Sequence, residues 1–507
     1  MKGALLICGT HSDAGKSVVV AGICRWLSRQ GVSVAPFKGQ NMALNSVVTR
    51  DGSEIGRAQA AQAAAAGVPP EAAMNPVLIK PSGSRKSQVI VMGRPYAEAD
   101  AKSYQSLKHE LKPIVAGALA DLRGRFDVVI CEGAGSPAEI NLRDGDLTNM
   151  GLARSADLPV LIVADIDRGG VFGSLFGTLA LLDPDDQAHV AGYVINKFRG
   201  DDSILAPGVA QLEELTGRHS AGVLPYVEDL WMDVEDSLGL DAPRPEVAGA
   251  GDTLDVAVVR LRWMSNFTDF DALSAEPGVR VRFTRSAVDI ERADLVIVPG
   301  TRATVEDLTR LRESGIDRML AGRAERGDPI LGICGGYQML GERIHDTIES
   351  GQGDVPGLGL LPVSTTFQPE KLLRRRSGHC DWAGSSVSGY EIRHGRISRS
   401  GGEPWFLEAD GEPEGCLRGS VFGTSWHGAL ENDEFRQALL GKTAATRARN
   451  FVPGDVCFAD VRERRLDVLG DLIAEHCDTD FLLRLIEQGT QRDLPSIHTE
   501  KSPCFAS

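Results

Sequence analysis

Apolar residues along this chain come in short, continuous, β-rich runs. ALLIC at 4–8, FDVVICEG at 126–133, LPVLIVAD at 158–165 and VAGYVIN at 190–196 are of this kind, as strands covered on both faces are. Helix-length stretches separate them, and the alternation predicts a parallel sheet with helices on both sides over residues 1–238. GLDAPRPEVAGAGD at 239–252 combines breaker residues with little apolar content and reads as a linker. Beyond it LDVAVVRL, ADLVIVPG and PILGICGG restart the pattern, predicting a second α/β domain over 253–440. Within 441–490, ADVRERRLDVLGDLIAEH and DFLLRLIEQG have helical spacing, and we expect this extension to pack on the second domain. The polar stretch 491–507, with its two prolines, is expected to be disordered.

A chain of 507 residues exceeds one ordinary hydrophobic core, in agreement with two domains. No apolar stretch reaches the roughly 18 residues of a membrane span, and MKGALLIC breaks into a polar turn too soon for a leader, so it reads as a first strand. Nine cysteines, an odd number without CxxC spacing, point to a reduced, cytoplasmic setting. The formal net charge of −16 argues against nucleic acid as a partner. His379 and Cys380 are adjacent, which is not the spacing of zinc ligands, and no metal other than magnesium is expected.

Candidate chemistry in the first domain begins with GTHSDAGKS at 9–17, directly behind the first strand. Gly9, Thr10, Ala14 and Gly15 would turn backbone N–H groups toward a phosphate at the start of a helix, with Lys16 adding charge and Ser17 a hydroxyl for Mg2+. Five residues separate Gly9 from Gly15, where the usual phosphate loop has four. Glu132, ending the strand FDVVICE, is either a second magnesium ligand opposite Ser17 or a solvated strand-end carboxylate. Asn196 in NKFRGD would hydrogen-bond a purine edge or cap a helix, and Asp51 in RDGSEIG is a metal ligand or a turn residue. Together these residues argue for ATP with magnesium.

In the second domain PILGICGGYQML places Cys334 between an apolar strand and a helix, flanked by Gly335 and Gly336. That is a nucleophile elbow carrying sulfur, in which a helix start favours a thiolate and the following N–H groups, such as that of Gly335, hold an oxyanion. His427 in SWHGALE is the candidate base, and Gly300 and Thr301 in VIVPGTRAT are further oxyanion donors. The alternative for Cys334 is a buried structural cysteine.

GICGGYQMLG followed by WHG resembles class I glutamine amidotransferase domains, which take ammonia from the side-chain amide of glutamine. The commonest pattern has HxE, whereas Ala429 occupies the glutamate position here and Glu431 lies two residues further on. This departure is similar to the cobyric and cobyrinic acid amide synthase family, whose members keep the cysteine and histidine without the third glutamate. Its fold would be a P-loop-like, dethiobiotin-synthetase-type parallel sheet domain followed by the amidotransferase α/β domain. PFKGQNMALNS at 36–46, NPVLIKPSG at 75–83, ADIDRGGVFGSL at 164–175 and VEDSLGL at 234–240 resemble the cobyric acid branch. In SGYEIRHGR, Arg393 follows the isoleucine where that family often has histidine, and His394 comes next.

The resemblance implies ATP- and glutamine-dependent amidation of the b, d, e and g carboxylates of adenosylcobyrinic acid a,c-diamide, a corrin, on the way to cobalamin. Lys38, Gln40, Asn41 and Lys80 become candidates for holding the substrate or the developing phosphate, the two lysines being otherwise ordinary surface residues. A carboxylate is a poor electrophile, so phosphorylation by ATP would precede attack by ammonia. The nearest rival is cobyrinic acid a,c-diamide synthase, against which the QNMALNS run argues. A nucleotide-switch ATPase of the chromosome-partition type would leave Cys334 and His427 unexplained.

Overall fold

The computed structural model describes residues 1–82, 86–228, 247–491 and 493–497. The VEDSLGL segment, linker residues 239–246 and the last ten residues fall outside them.

The first sheet has six parallel strands in the order His219–Pro225, Val190–Phe198, Val160–Asp165, Gly3–Gly9, Val128–Glu132 and Val34–Phe37. Its continuous apolar runs follow from double coverage. Leu6 and Cys8 point into one core with Val129 and Cys131, while Leu5 and Ile7 point into another with Val128 and Ile130. A strand with polar residues at alternate positions would place half of them in one of these cores.

A second six-stranded sheet repeats this construction, in the order Val279–Thr284, Leu254–Val259, Leu295–Val298, Ile330–Ile333, Val421–Thr424 and Cys416–Arg418. All pairs are parallel except the last. In both halves the loops leaving the carboxyl ends of central strands build the candidate sites, as in open α/β sheets generally.

Between the halves lie elements that the apolar pattern does not announce. Strands Val363–Cys380 and Ser385–Arg399 form a long antiparallel hairpin. Its Leu373, Tyr390 and Ile392 pack on Val47, Val48 and Ile55 of the small hairpin Ser46–Val48 and Glu54–Gly56 in the first half.

The helices Phe458–His476 and Thr479–Gln488 bury their apolar faces on the first domain, not on the second as their place in the sequence suggests. Leu466, Leu469, Ile473, Leu485 and Ile486 join Val19, Val20 and Ile23 of helix Lys16–Arg29 in one core. The helices approach closely because Gly22 faces the crossing, where a Cβ would stand 2.7 Å from the Leu469 carbonyl oxygen. Arg25 adds bonds of 2.9 Å each to Asp467 and Glu463. The tail also departs from expectation in its described part. Arg218 Nη1 donates to the Pro495 carbonyl at 2.9 Å, and Ile497 N donates to Gln187 Oε1 at 3.0 Å.

Leu469→Ala is expected to cost about 2–5 kcal/mol by leaving a cavity in this core. Calorimetry should show the unfolding transition of the nucleotide-binding half lowered; a shift confined to the other half would contradict the placement of the helices.

Candidate active site

The phosphate loop leaves the strand Gly3–Gly9 and enters the helix Lys16–Arg29 through Gly15, at φ 104° and ψ 17°. Only glycine fits there, since a Cβ would also stand 1.9 Å from Asn196 Nδ2. Asn196 Nδ2 donates to the Ala14 carbonyl at 3.2 Å, so this side chain braces the loop from the strand Val190–Phe198, two places away in the sheet. Lys16 curls over the loop, its Nζ donating to the carbonyls of His11 at 3.0 Å and Gly135 at 3.1 Å. The hydroxyl of Thr10 is buried without a hydrogen-bond partner, as a group kept for a ligand would be.

Glu132 is fully buried and sits at the centre of this site. Its Oε1 accepts from Ser17 Oγ at 2.9 Å and from Lys38 Nζ at 2.8 Å, and Gln62 Nε2 donates to Oε2. Burial opposes its charge, but Lys38, Gln62 and Lys16 together hold the carboxyl below its ordinary range. Ser17, Lys38 and Glu132 are thereby brought together. Asp51 is not: its carboxylate accepts from Thr49 Oγ1 and from Ser53 N within its own turn. Gln40 accepts from Tyr104 Oη, and Asn41 Nδ2 donates to Gln59 Oε1 at 2.8 Å.

The thiol centre is assembled from three adjacent strand ends. Cys334 follows Ile330–Ile333 at φ 51° and ψ −109°, the strained geometry of an elbow, with its N–H donating to the Thr424 carbonyl at 2.8 Å. Gly300 and Thr301 follow Leu295–Val298, and His427 follows Val421–Thr424. A Cβ on Gly300 would stand 2.9 Å from His427 Cε1, and one on Gly335 would stand 3.0 Å from Thr301 N. The glycines therefore let base, nucleophile and candidate oxyanion donors close on one point.

Sequence reasoning missed the third member. His427 Nδ1 is 2.7 Å from Asp269 Oδ2, and Gly428 N donates to Asp269 Oδ1 at 2.9 Å. Burial would lower the His427 pKa, but Asp269 and a hydrogen-bonded Cys334 raise it to about 10. Asp269 thus orients the ring and leaves the other nitrogen for the thiol. It comes from the turn after the first strand of this half, about 160 residues before the histidine, so no local spacing marks it. Glu431, the carboxylate nearest the expected position, instead pairs with Arg57 at 2.8 Å and Arg462 at 3.0 Å.

The cavity over Cys334 is also lined by Gln338, Glu349, Lys371 and, from the first half, Lys80. Lys80 Nζ donates to Glu54 Oε1 at 2.9 Å and Ser46 Oγ at 2.8 Å, and Lys371 Nζ donates to Glu54 Oε2 at 2.6 Å. Burial pulls Lys371 down to about 7 against the attraction of Glu54. His394 lines the same cavity with its pKa lowered to about 4 by burial and by Lys371 and Arg302.

Residues 5–238 match the CobQ/CobB/MinD/ParA nucleotide binding domain, and residues 255–435 match the CobB/CobQ-like glutamine amidotransferase domain. Fold and site thus define a carbon–nitrogen ligase in which a nucleotide-binding half is joined to a glutamine amidotransferase half. The chain is 59% identical to a cobyric acid synthase of Frankia casuarinae over 98% of its own length and 99% of that protein's. It is 57% identical to that of Streptomyces coelicolor, with the same coverage, and 54% identical to that of Rhodococcus jostii over 98% of both chains. It belongs to the cobyric acid synthase family.

Asp269→Asn is expected to reduce glutamine hydrolysis on the order of 10²–10⁴-fold by releasing the His427 ring. Assay of glutamate release checks this; a change below about threefold would show that the ring is oriented without Asp269.

Proposed function

We propose that the enzyme converts adenosylcobyrinic acid a,c-diamide to adenosylcobyric acid in the cytoplasm, amidating the b, d, e and g carboxylates with one ATP and one glutamine each. The observation that carries this reading is that Lys80, on a strand of the nucleotide-binding half, lines the cavity over Cys334. Two half-reactions that share an unstable intermediate need such contact.

In the first half-reaction a corrin carboxylate oxygen attacks the γ-phosphorus of ATP, giving an acyl phosphate and ADP. Gly9, Thr10, Ala14 and Gly15 present the loop backbone to the phosphates, while Lys16 and Lys38 neutralise charge on the transferred group. Lys16 must leave the carbonyls of His11 and Gly135 to do so. Asn196 holds the loop in place. Ser17 and Glu132 are hard oxygen donors in direct contact and suit Mg2+, which takes one or two carboxylates beside substrate phosphates. The ion would supply charge neutralisation on the phosphates. Gln40, Asn41 and Lys80 are the side chains assigned to holding the corrin, of which Lys80 lines the cavity shared with the other half.

In the second half-reaction Cys334 Sγ attacks the glutamine side-chain carbonyl carbon while His427 takes the thiol proton. N–H groups around Thr301 and Gly335 hold the oxyanion, with Gly300 shaping the turn. His427 returns the proton to the leaving nitrogen, ammonia departs, and water hydrolyses the thioester to glutamate. Ammonia then displaces phosphate from the acyl phosphate and forms the amide.

Mass spectrometry of the corrin product tests this reading. Cys334→Ala is expected to lower glutamine-dependent amidation by a factor on the order of 10⁴ or more while amidation with ammonium persists, and Lys16→Ala is expected to abolish both. An unaltered corrin, with ATP and glutamine still consumed by the unmodified enzyme, would contradict the substrate assignment.

A further inference from the structure

One segment of the nucleotide-binding half touches both centres. Within residues 38–62, Lys38 and Gln62 hold Glu132 in the phosphate site. Between them Asn45 and Ser46 meet the turn that carries Asp269. Ser46 N donates to Asn266 Oδ1 at 3.2 Å, and Asn266 Nδ2 donates back to the Ser46 carbonyl at 3.1 Å, so the side-chain amide pairs with a peptide as a strand would. Next to it, Phe267 N donates to Asn45 Oδ1 at 3.2 Å. The clasp is tied to helix Arg57–Ala65, which bears Gln62, because Arg57 N donates to the Asn45 carbonyl at 3.1 Å.

On its other side Asn266 reaches both supports of the catalytic histidine. It stands three residues before Asp269, with its backbone held left-handed at φ 52° and ψ 42°. Its Nδ2 also donates to Tyr390 Oη at 3.1 Å. Tyr390 exchanges two backbone hydrogen bonds with His427, at 3.0 and 2.9 Å, and its ring lies 5.5 Å from the imidazole. Asn266 is 2% exposed, so these bonds face no competition from water while the seam is closed.

We propose that Asn266 is a positioning residue through which the nucleotide-binding half completes the glutaminase centre: the Asn45–Ser46 segment fixes Asn266, and Asn266 fixes Asp269 and Tyr390 around His427. Glutamine hydrolysis therefore runs at full rate only while residues 38–62 keep the arrangement that holds Glu132. The proposal rests on the two-centre reading above, but its first test needs neither ATP nor corrin.

Two variants carry the test. Asn266→Gly keeps the left-handed backbone and removes the clasp, and Asn45→Ala weakens it from the other half without altering any residue of the thiol centre. Glutamate release by the full-length protein is measured against glutamine concentration, beside amidation of the corrin with ammonium. We expect kcat for glutamine hydrolysis to fall by roughly tenfold to a hundredfold in Asn266→Gly and by less in Asn45→Ala, with KM within about threefold and ammonium-dependent amidation within about twofold. Asn266→Gln, which displaces the amide by one methylene, should not restore the rate. An unchanged kcat in both variants would overturn the proposal, and so would an equal loss of the ammonium-dependent reaction, which would mark a purely structural role. If the unmodified enzyme leaves the corrin unaltered, the substrate assignment fails while the hydrolysis data still decide the role of Asn266.

Discussion

Glu54 is a carboxylate with no exposure to solvent, and it is neutralised by one lysine from each half of the molecule. A buried ion pair is costly to form and more costly to break, because removing one partner leaves the other charge uncompensated in a medium of low dielectric. Separating the two halves would remove Lys371 from Glu54 and Gln88 at one stroke. Arg57 and Glu431 form a second such tie, and Val47, Val48 and Ile55 against Tyr390 add a small apolar patch. These ion pairs have a defined geometry, and they fix the relative position of the two centres together with the apolar contacts.

Given that seam, both centres follow from one rule of construction. Each half lays its central strands in parallel, so that successive loops emerge at the same edge. In the first half these loops bring Ser17 and Glu132 into contact. In the second they bring Cys334, Gly300 and His427 together, closely enough that glycine is required at two of the turns. Among the elements that join the halves are two antiparallel, local hairpins: a short one from the nucleotide side and a long one from the amidotransferase side.

Much of this was legible in the sequence because continuous apolar runs have a simple physical cause. Leu5 and Ile7 enter one core and Leu6 and Cys8 the other, so every position must be apolar, and the run announces a strand covered on both faces. Glycine-flanked Cys334 and the loop ending in Lys16 and Ser17 were legible for a related reason: backbone strain and close approach restrict the residues allowed. The hairpin Val363–Cys380 with Ser385–Arg399 was not, since much of it is half exposed and its arginine-rich pattern resembles that of a loop. The packing side of the C-terminal helices was hidden as well, because an apolar stripe states that a partner exists and not which one. Asp269 escaped because the chain orders its carboxylate far from its histidine, and only the fold brings the two within 2.7 Å.

The proposed coupling of the two halves has ammonia released over Cys334 reaching the acyl phosphate across the seam before it mixes with solvent. The most direct measurement supplies glutamine with an isotope-labelled amide nitrogen in the presence of excess unlabelled ammonium, and reads the label in the corrin amides at a pH where free ammonia is itself a competent donor. Ammonia kept within the seam leaves glutamine-derived label in the product well beyond its share of the mixed nitrogen pool. Product labelled only in proportion to that pool would mean that ammonia escapes before use, and would rule out direct transfer across the seam.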